Sequence, residues 1–258
     1  VNKMMDILKQ ERKNSNAVVN QKMGYLRVVL QEMEEDGYIE MIKFPKPRPT
    51  KNTKVHYLTK QMEDKLLNYL RDTEDTLHKE LVQIIDQNPN TNYSLWNNRW
   101  ETYSECYGII ACLIDLGCRV NELLNLEKRF VDFDNNQINF NDRKNDQAVA
   151  VPMTDRVQKI MKKCLSYSGR PTEKVFCGVN YAWLNNIWQK ARKDLGYADK
   201  KFYTIHLCRH TCASRLVQRG VPILLVKDWL GHEDIENTMI YAHLAPKALH
   251  SVVGVLND

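Results

Sequence analysis

Apolar residues recur at three- and four-residue steps through nearly all of this chain, and at two-residue steps in one short stretch, Phe130 to Val151. A period near 3.6 marks helices that bury one face, and a period of two marks strands, so the chain must fold mainly as helices around a small sheet. From Asn16 to Asp36, Val19, Met23, Leu26, Leu30 and Met33 follow at steps of four, three, four and three, with Ser15 or Asn16 as N-cap and Gly37 as stop. Further helices are expected over Lys60–Arg71, Leu77–Gln87, Trp100–Leu116 (ended by Gly117), Thr154–Leu165, Tyr181–Leu195, His206–Gln218, Pro222–Leu230 and Ile235–His243, with a last one after Pro246. Between them Phe130–Phe133, Gln137–Phe140 and Ala148–Val151 read as strands, punctuated by Asp134-Asn135-Asn136 and by Asn141-Asp142 and Asn145-Asp146. The class is α+β, mainly α with a small antiparallel sheet, and the chain has no internal repeat.

At 258 residues, one main domain with an appendage is expected. Residues 1–42 read as part of a helical unit, 43–57 as a basic, proline-rich linker, and 58–258 as the principal domain. In the linker, prolines alternate with cations from Lys43 through Lys46 and Arg48 to Pro49, and Lys51 and Lys54 follow with no acid between. Alternating prolines hold a chain extended. Such a segment is either a solvated spacer or a strap laid along a phosphate backbone, and the two roles are compatible. The formal charge of +5 and pI near 8.7 permit a polyanionic partner without requiring one.

No run approaches the roughly 20 apolar residues a bilayer span needs, and no secretory signal opens the chain. The first residue is Val1, so a preceding segment is expected. Seven cysteines with no Cys-x-x-Cys pair suit reduced thiols, which places the protein in the cytoplasm.

Six polar residues stand where helix packing would not ask for them. Arg119 follows Gly117-Cys118 at a helix end. His206 and Arg209 are three apart at a helix start. His232 follows Gly231 at a helix stop, Tyr241 comes nine residues later, and Lys144 falls between two strands. Singly each has an ordinary reading: a Gly-His pair at a helix end is usually a cap, and a tyrosine in an amphipathic helix is usually core.

Their order changes that. Gly117-Cys118-Arg119-Val120-Asn121-Glu122-Leu123-Leu124-Asn125-Leu126 resembles the first arginine box of the tyrosine recombinases, the phage integrase family. Lys144 ahead of Val149-Ala150-Val151-Pro152 resembles that family's lysine hairpin. His206-Leu207-Cys208-Arg209-His210-Thr211, Leu230-Gly231-His232 and Thr238-Met239-Ile240-Tyr241-Ala242-His243 match its remaining boxes. The resemblance covers most of residues 15–250, and residues 14–40 look like the end of the family's core-binding domain. Two departures are visible: Ala148 stands where relatives often carry a cation, and Arg143 adjoins Lys144.

The resemblance implies a site-specific recombinase that cleaves and rejoins double-stranded DNA at attachment or core sites through a 3′-phosphotyrosine. Arg119 and Arg209 would neutralise the phosphate with planar guanidinium forks. Tyr241 would attack, His206 would accept its proton, His232 would donate to a phosphate oxygen, and Lys144 would protonate the departing 5′-oxygen. Glu122 and His210 would support these groups, and Lys43, Lys46, Arg48, Lys51, Lys54 and Arg143 would contact DNA. No cofactor and no metal are implied. His206, Cys208, His210 and Cys212 alternate, but on a helix 208 and 212 share a face while 206 and 210 lie roughly 160° away, so four ligands cannot converge.

The partners implied are DNA and three further copies in a homo-tetramer. The apolar tail Ala245–Asp258, carrying Leu249, Val252, Val253, Val255 and Leu256, would be exchanged between protomers. An excisionase or a DNA-bending protein is a candidate accessory factor, and no membrane partner is expected. The task would be integration or excision of phage or mobile-element DNA. A type IB-like topoisomerase, a chromosome-dimer resolvase, or a non-catalytic DNA-binding module are the rival readings.

Overall fold

The computed structural model describes residues 2–40, 43–48, 54–87, 94–140, 149–166 and 173–246, with main chain alone for 94–101. Two compact units divide between Lys54 and Val55. In the first, α1 (Asn2–Gln10) and α2 (Asn16–Glu35) share a small core of Met5, Val19 and Met23. The Ser15 hydroxyl accepts from the Val18 N–H and starts α2, and Gly37, at φ 77°, ends it. The described part of the expected linker up to Lys54 belongs to this unit, and 55–57 to the second. Phe44 packs on its core beneath Arg27, Asn20 brackets the Arg48 backbone with two hydrogen bonds of 2.8 Å, and the Arg48 guanidinium pairs with Asp6. Lys43, Lys46 and Lys54 are exposed, and Lys51 lies outside the described residues.

The second unit is built around α4 (Ser94–Leu116). Its last two turns, Ile109 to Leu116, are buried nearly all round, as expected of a helix enclosed by others. α3 (Lys60–Gln87) packs along it, as do α6 (Asp155–Leu165) and α8 (Leu207–Gln218). The sequence divides α3 in two at Asp72–Thr76, but the helix is continuous. The hydroxyls of Thr73 and Thr76 donate to the carbonyls of Tyr69 and Asp72 four residues back, and no glycine or proline interrupts the ladder.

The sheet has three antiparallel strands in chain order: β1 (Val131–Asp132), β2 (Gln137–Phe140) and β3 (Val149–Pro152). Val131, Ile138 and Val151 lie in register across it, and all three are buried. The expected Lys144 hairpin, with Arg143 and Ala148, lies outside the described residues. So does the tail from residue 247.

α5 (Val120–Leu124), α7 (Tyr181–Asp194) and α9 (Ile223–Leu230) complete the larger helices. The expected helix Ile235–His243 is instead two pieces, α10 (Glu236–Met239) and a 3-10 turn at Ala242–Leu244, with Tyr241 at the break. Among the described residues no helix is long and apolar enough to cross a membrane.

Candidate active site

The site is assembled by helix ends. A helix leaves its last carbonyls without intrahelical partners, and a buried end must find donors for them. At the end of α4, the Cys212 thiol donates to Asp115 O, the Trp229 indole N–H to Leu116 O at 2.9 Å, and Arg209 Nη1 to Gly117 O at 2.7 Å. At the end of α9, Gly231 turns left-handed at φ 64° and ψ 49°. The His232 and Gly231 N–H groups bond back to Lys227 O and Asp228 O. Arg209 Nη2 donates to Leu230 O at 2.9 Å.

One guanidinium, only 3 % exposed, therefore joins two helix C-termini. Its charge complements the negative ends of both helix dipoles. Gly117 lies two residues before Arg119, and Leu230 two before His232. Arg209 thereby draws three distant sequence boxes to one place.

Arg119 starts α5 and remains half-exposed. Glu122 accepts from its backbone N–H and from its Nη1, each at 2.8 Å, which aims the guanidinium. His206 precedes α8, and its ring meets that of His210 edge-on, with centroids 4.8 Å apart. His206 keeps an exposed edge, yet loss of hydration first, then the charges of Arg209 and Arg119, hold its pKa below the ordinary histidine value. His232 Nδ1 shares a 2.7 Å hydrogen bond with Oγ1 of the fully buried Thr238. A cavity of about 320 Å³ adjoins the cluster, lined by Tyr181, Asn185, Gln189, Thr204, His206 and Arg209.

Tyr241 is 2 % exposed, within the cluster formed by Ala213, Val217, Val226 and Leu230. Its Oη lies 2.7 Å from His210 Nδ1. Burial pushes the phenol up to about 12, against a smaller opposing pull from Arg209. Burial likewise, then the charges of His206, Arg209 and His56, push His210 down to about 4. The imidazole bonded to Tyr241 is therefore that of His210, which the sequence reading made a support, whereas that reading gave His206 the proton.

The phage integrase family pattern matches residues 74–248, more than half of the chain. The chain belongs to the phage integrase family. Members of this family, the tyrosine recombinases, cleave and rejoin DNA strands. Among its relatives is the tyrosine recombinase XerA of Saccharolobus solfataricus, 32% identical over 136 residues, a match covering 53% of this chain and 45% of that protein. The integrase of Salmonella phage P22 is 30% identical over 157 residues, covering 55% of this chain and 40% of that one. The chain spans about half the length of the curated relatives it matches.

Two solved structures share the fold. The Tn1549 transposon integrase in complex with transposon right end DNA superposes with a TM-score of 0.69 at 16% identity, covering 97% of this chain and 82% of that one. The XerH recombinase bound to palindromic difH substrate, a post-cleavage complex, gives 0.67 at 15%, covering 99% and 72%.

Two contributors were given no role from the sequence, although Thr238 opens one of the matched boxes. Thr238 is one of many threonines until the fold brings it to His232. Trp229, which bonds the end of α4, reads in sequence as an ordinary core aromatic.

Proposed function

We propose that this chain is the DNA-cleaving part of a site-specific recombinase that uses Tyr241 as nucleophile on a DNA phosphodiester. The observation that supports this best is the Arg209 guanidinium bound to both Gly117 O and Leu230 O, because it gathers Arg119, His206, His232 and the Tyr241 segment around one cation. A phosphodiester repels a nucleophile until its non-bridging oxygens are neutralised, and preorganised cations supply the largest rate term. Arg119, aimed by Glu122, and Arg209 take that role, with His232 donating to a phosphate oxygen.

In the reaction the Tyr241 Oη–P bond forms and the P–O5′ bond breaks. The phenol proton passes to an imidazole, with His206 proposed as acceptor, and Lys144 supplies the proton that leaves on the 5′-hydroxyl. The 3′-phosphotyrosine keeps the free energy of the phosphodiester, so a second 5′-hydroxyl can attack it and restore the phenol.

DNA is the partner, with Lys43, Lys46, Lys51, Lys54 and Arg143 proposed along its backbone. Arg48 would have to exchange Asp6 for phosphate to join them. The role we favour is integration or excision of mobile DNA by a tetramer linked through residues 245–258. Similarity to XerA favours a second role, resolution of joined replicons.

DNA carrying candidate attachment sites and a nick beside the cleavage point traps the covalent intermediate. An adduct in the parent that is lost in Tyr241→Phe is the expected result, and an adduct that survives the substitution refutes the assignment. Strand transfer between two separate DNA molecules supports integration, whereas recombination confined to two sites on one molecule leaves excision or resolution.

A further inference from the structure

A hydrogen bond between two neutral amides can run either way, because each amide both donates and accepts. Along α7 one such run has its direction fixed. Arg192, in the last turn, is anchored by three carbonyls beyond the helix end. Its Nε donates to Tyr197 O at 3.1 Å, and its Nη2 donates to Ala198 O at 2.7 Å and to Lys200 O at 3.0 Å. Its Nη1 donates to Gln189 Oε1 at 3.1 Å. A guanidinium has no acceptor, so Gln189 must turn its oxygen to Arg192 and its NH2 elsewhere. That NH2 donates to Asn185 Oδ1 at 3.4 Å, one turn back. Asn185 is left with its Nδ2, a donor that has no acceptor among the described residues.

This amide stands in the wall of the cavity of about 320 Å³, together with Gln189, Tyr181, His206 and Arg209. Arg119, His232 and Tyr241 do not line that space, so it lies beside the cationic cluster rather than at its centre. A DNA strand whose scissile phosphate is held by Arg119 and Arg209 must run on past them, and its next phosphate needs a place within one nucleotide's reach. The wall suits an oxygen that only accepts. An asparagine that reads adenine uses both amide atoms, Oδ1 for the amino group and Nδ2 for N7. Here Oδ1 is already engaged by Gln189. What remains is a single oriented donor, which fits a phosphate oxygen.

We propose that Asn185 is a DNA-contact residue: its Nδ2 donates to a non-bridging oxygen of the phosphate next to the scissile one, and Gln189 and Arg192 are positioning residues that keep the amide turned in the donor sense. This rests on the assignment of the Arg119 and Arg209 cluster as the scissile-phosphate site. The contact exists before and during cleavage alike, so it contributes to DNA binding and leaves the rate of the bound complex unchanged. Being neutral, the amide releases no counterion.

Binding of nicked DNA carrying the candidate attachment site is measured in the Tyr241→Phe background, where no adduct forms. Asn185→Ala should weaken it about tenfold, equivalent to about 1.4 kcal/mol. Asn185→Asp keeps the size of the side chain, guards against misfolding of the first variant, and should weaken binding further by repelling the phosphate. The slope of affinity against salt should not change, whereas loss of a lysine or arginine contact lowers it by about one. With Tyr241 intact, first-turnover adduct formation at saturating DNA should stay within about twofold of the parent. Gln189→Met frees the Asn185 amide to turn over, so it should weaken binding in the parent and have no effect in Asn185→Ala.

A methylphosphonate replaces one non-bridging oxygen by a methyl group. Placed singly at the phosphates beside the cleavage point, one stereoisomer at one position should weaken the parent about tenfold more than it weakens Asn185→Ala. Replacing purine N7 by CH at the same steps should affect both proteins equally. Coupling to an N7 instead of a phosphate means that Asn185 reads a base, and coupling to neither means that it does not touch DNA. Either result overturns the proposal, as does a slower first turnover with unchanged affinity. Failure of the parent to form any adduct refutes the assignment of the cluster itself, a separate outcome.

Discussion

Replacing Gly117 by alanine tests whether the end of α4 is as closely fitted as the geometry implies. Gly117 has φ 64°, a conformation that costs a residue with a Cβ about 1–2 kcal/mol. The added Cβ would also lie 2.8 Å from Leu230 Cδ2, 2.9 Å from Cys212 Sγ and 3.0 Å from Cys212 Cβ. Overpacking of this kind costs about 1–3 kcal/mol, so the total is roughly 2–5 kcal/mol. For a unit of this size each kcal/mol moves the melting temperature by about 2–4 °C.

Gly196→Ala is the control. It shares the left-handed backbone, φ 78°, but has nothing within 4 Å of the new atom. Thermal unfolding followed by circular dichroism should place Gly117→Ala at least about 2 °C below Gly196→Ala. The clash is relieved by a shift of Gly117, Cys212 or the Leu230 side chain, and a shift of the Gly117 main chain moves a carbonyl that holds Arg209. First-turnover cleavage per folded molecule should therefore fall about tenfold or more in Gly117→Ala alone. Equal melting temperatures would refute the packing argument, and a lower melting temperature with unchanged cleavage would refute the coupling to Arg209.

Glu63 is 1 % exposed and pairs with Arg156 and Arg215. Burial alone would raise its pKa, but the two arginines outweigh that and lower it from 4.5. Its contribution to stability is therefore complete above that value and fades as the pH falls through the lower folded value. Glu63→Gln should lose about 3 kcal/mol at neutral pH, as expected when a buried ion pair is broken from one side, and should lose less below pH 4.5, measured by urea midpoints across pH. Thr238→Val removes the hydroxyl from His232 at nearly constant volume. Adduct formation should slow about fivefold, Thr238→Ser should restore it, and the 15N shift of His232 Nδ1 should report the lost bond.

The periodic parts of the fold were legible in the sequence because burial writes a period into it. The bounds of α2, α6 and α7 fall within a residue of those read from apolar spacing and caps. The misreadings occur where a local cue competes with context. The acid- and threonine-rich stretch Asp72–Thr76 looks like a break, but threonine can bond back within a helix, so α3 continues. The pattern Ile235–His243 suits one helix, yet the chain breaks there and turns Tyr241 inward. Whether a tyrosine ring is buried or exposed depends on a pocket formed by residues up to 28 positions away, Ala213 among them, and no local spacing records that.

The site motifs were legible for a different reason, which the structure makes physical. Gly117-Cys118-Arg119 and Leu230-Gly231-His232 are both helix exits: each has a glycine that turns left-handed and a carbonyl beside it facing inward. Either end buried alone would leave a carbonyl unmatched. A single arginine with two separated Nη groups answers both, which a lysine ammonium at one point could not do in the same geometry. The glycines, the arginine and the spacing between boxes are thus parts of one requirement: to bury two helix ends against each other, they must share a cation. The phosphate chemistry proposed for this site draws on a charge that the fold itself already needs. That is why Gly117→Ala, which adds one methyl group and removes no catalytic side chain, should be felt in cleavage.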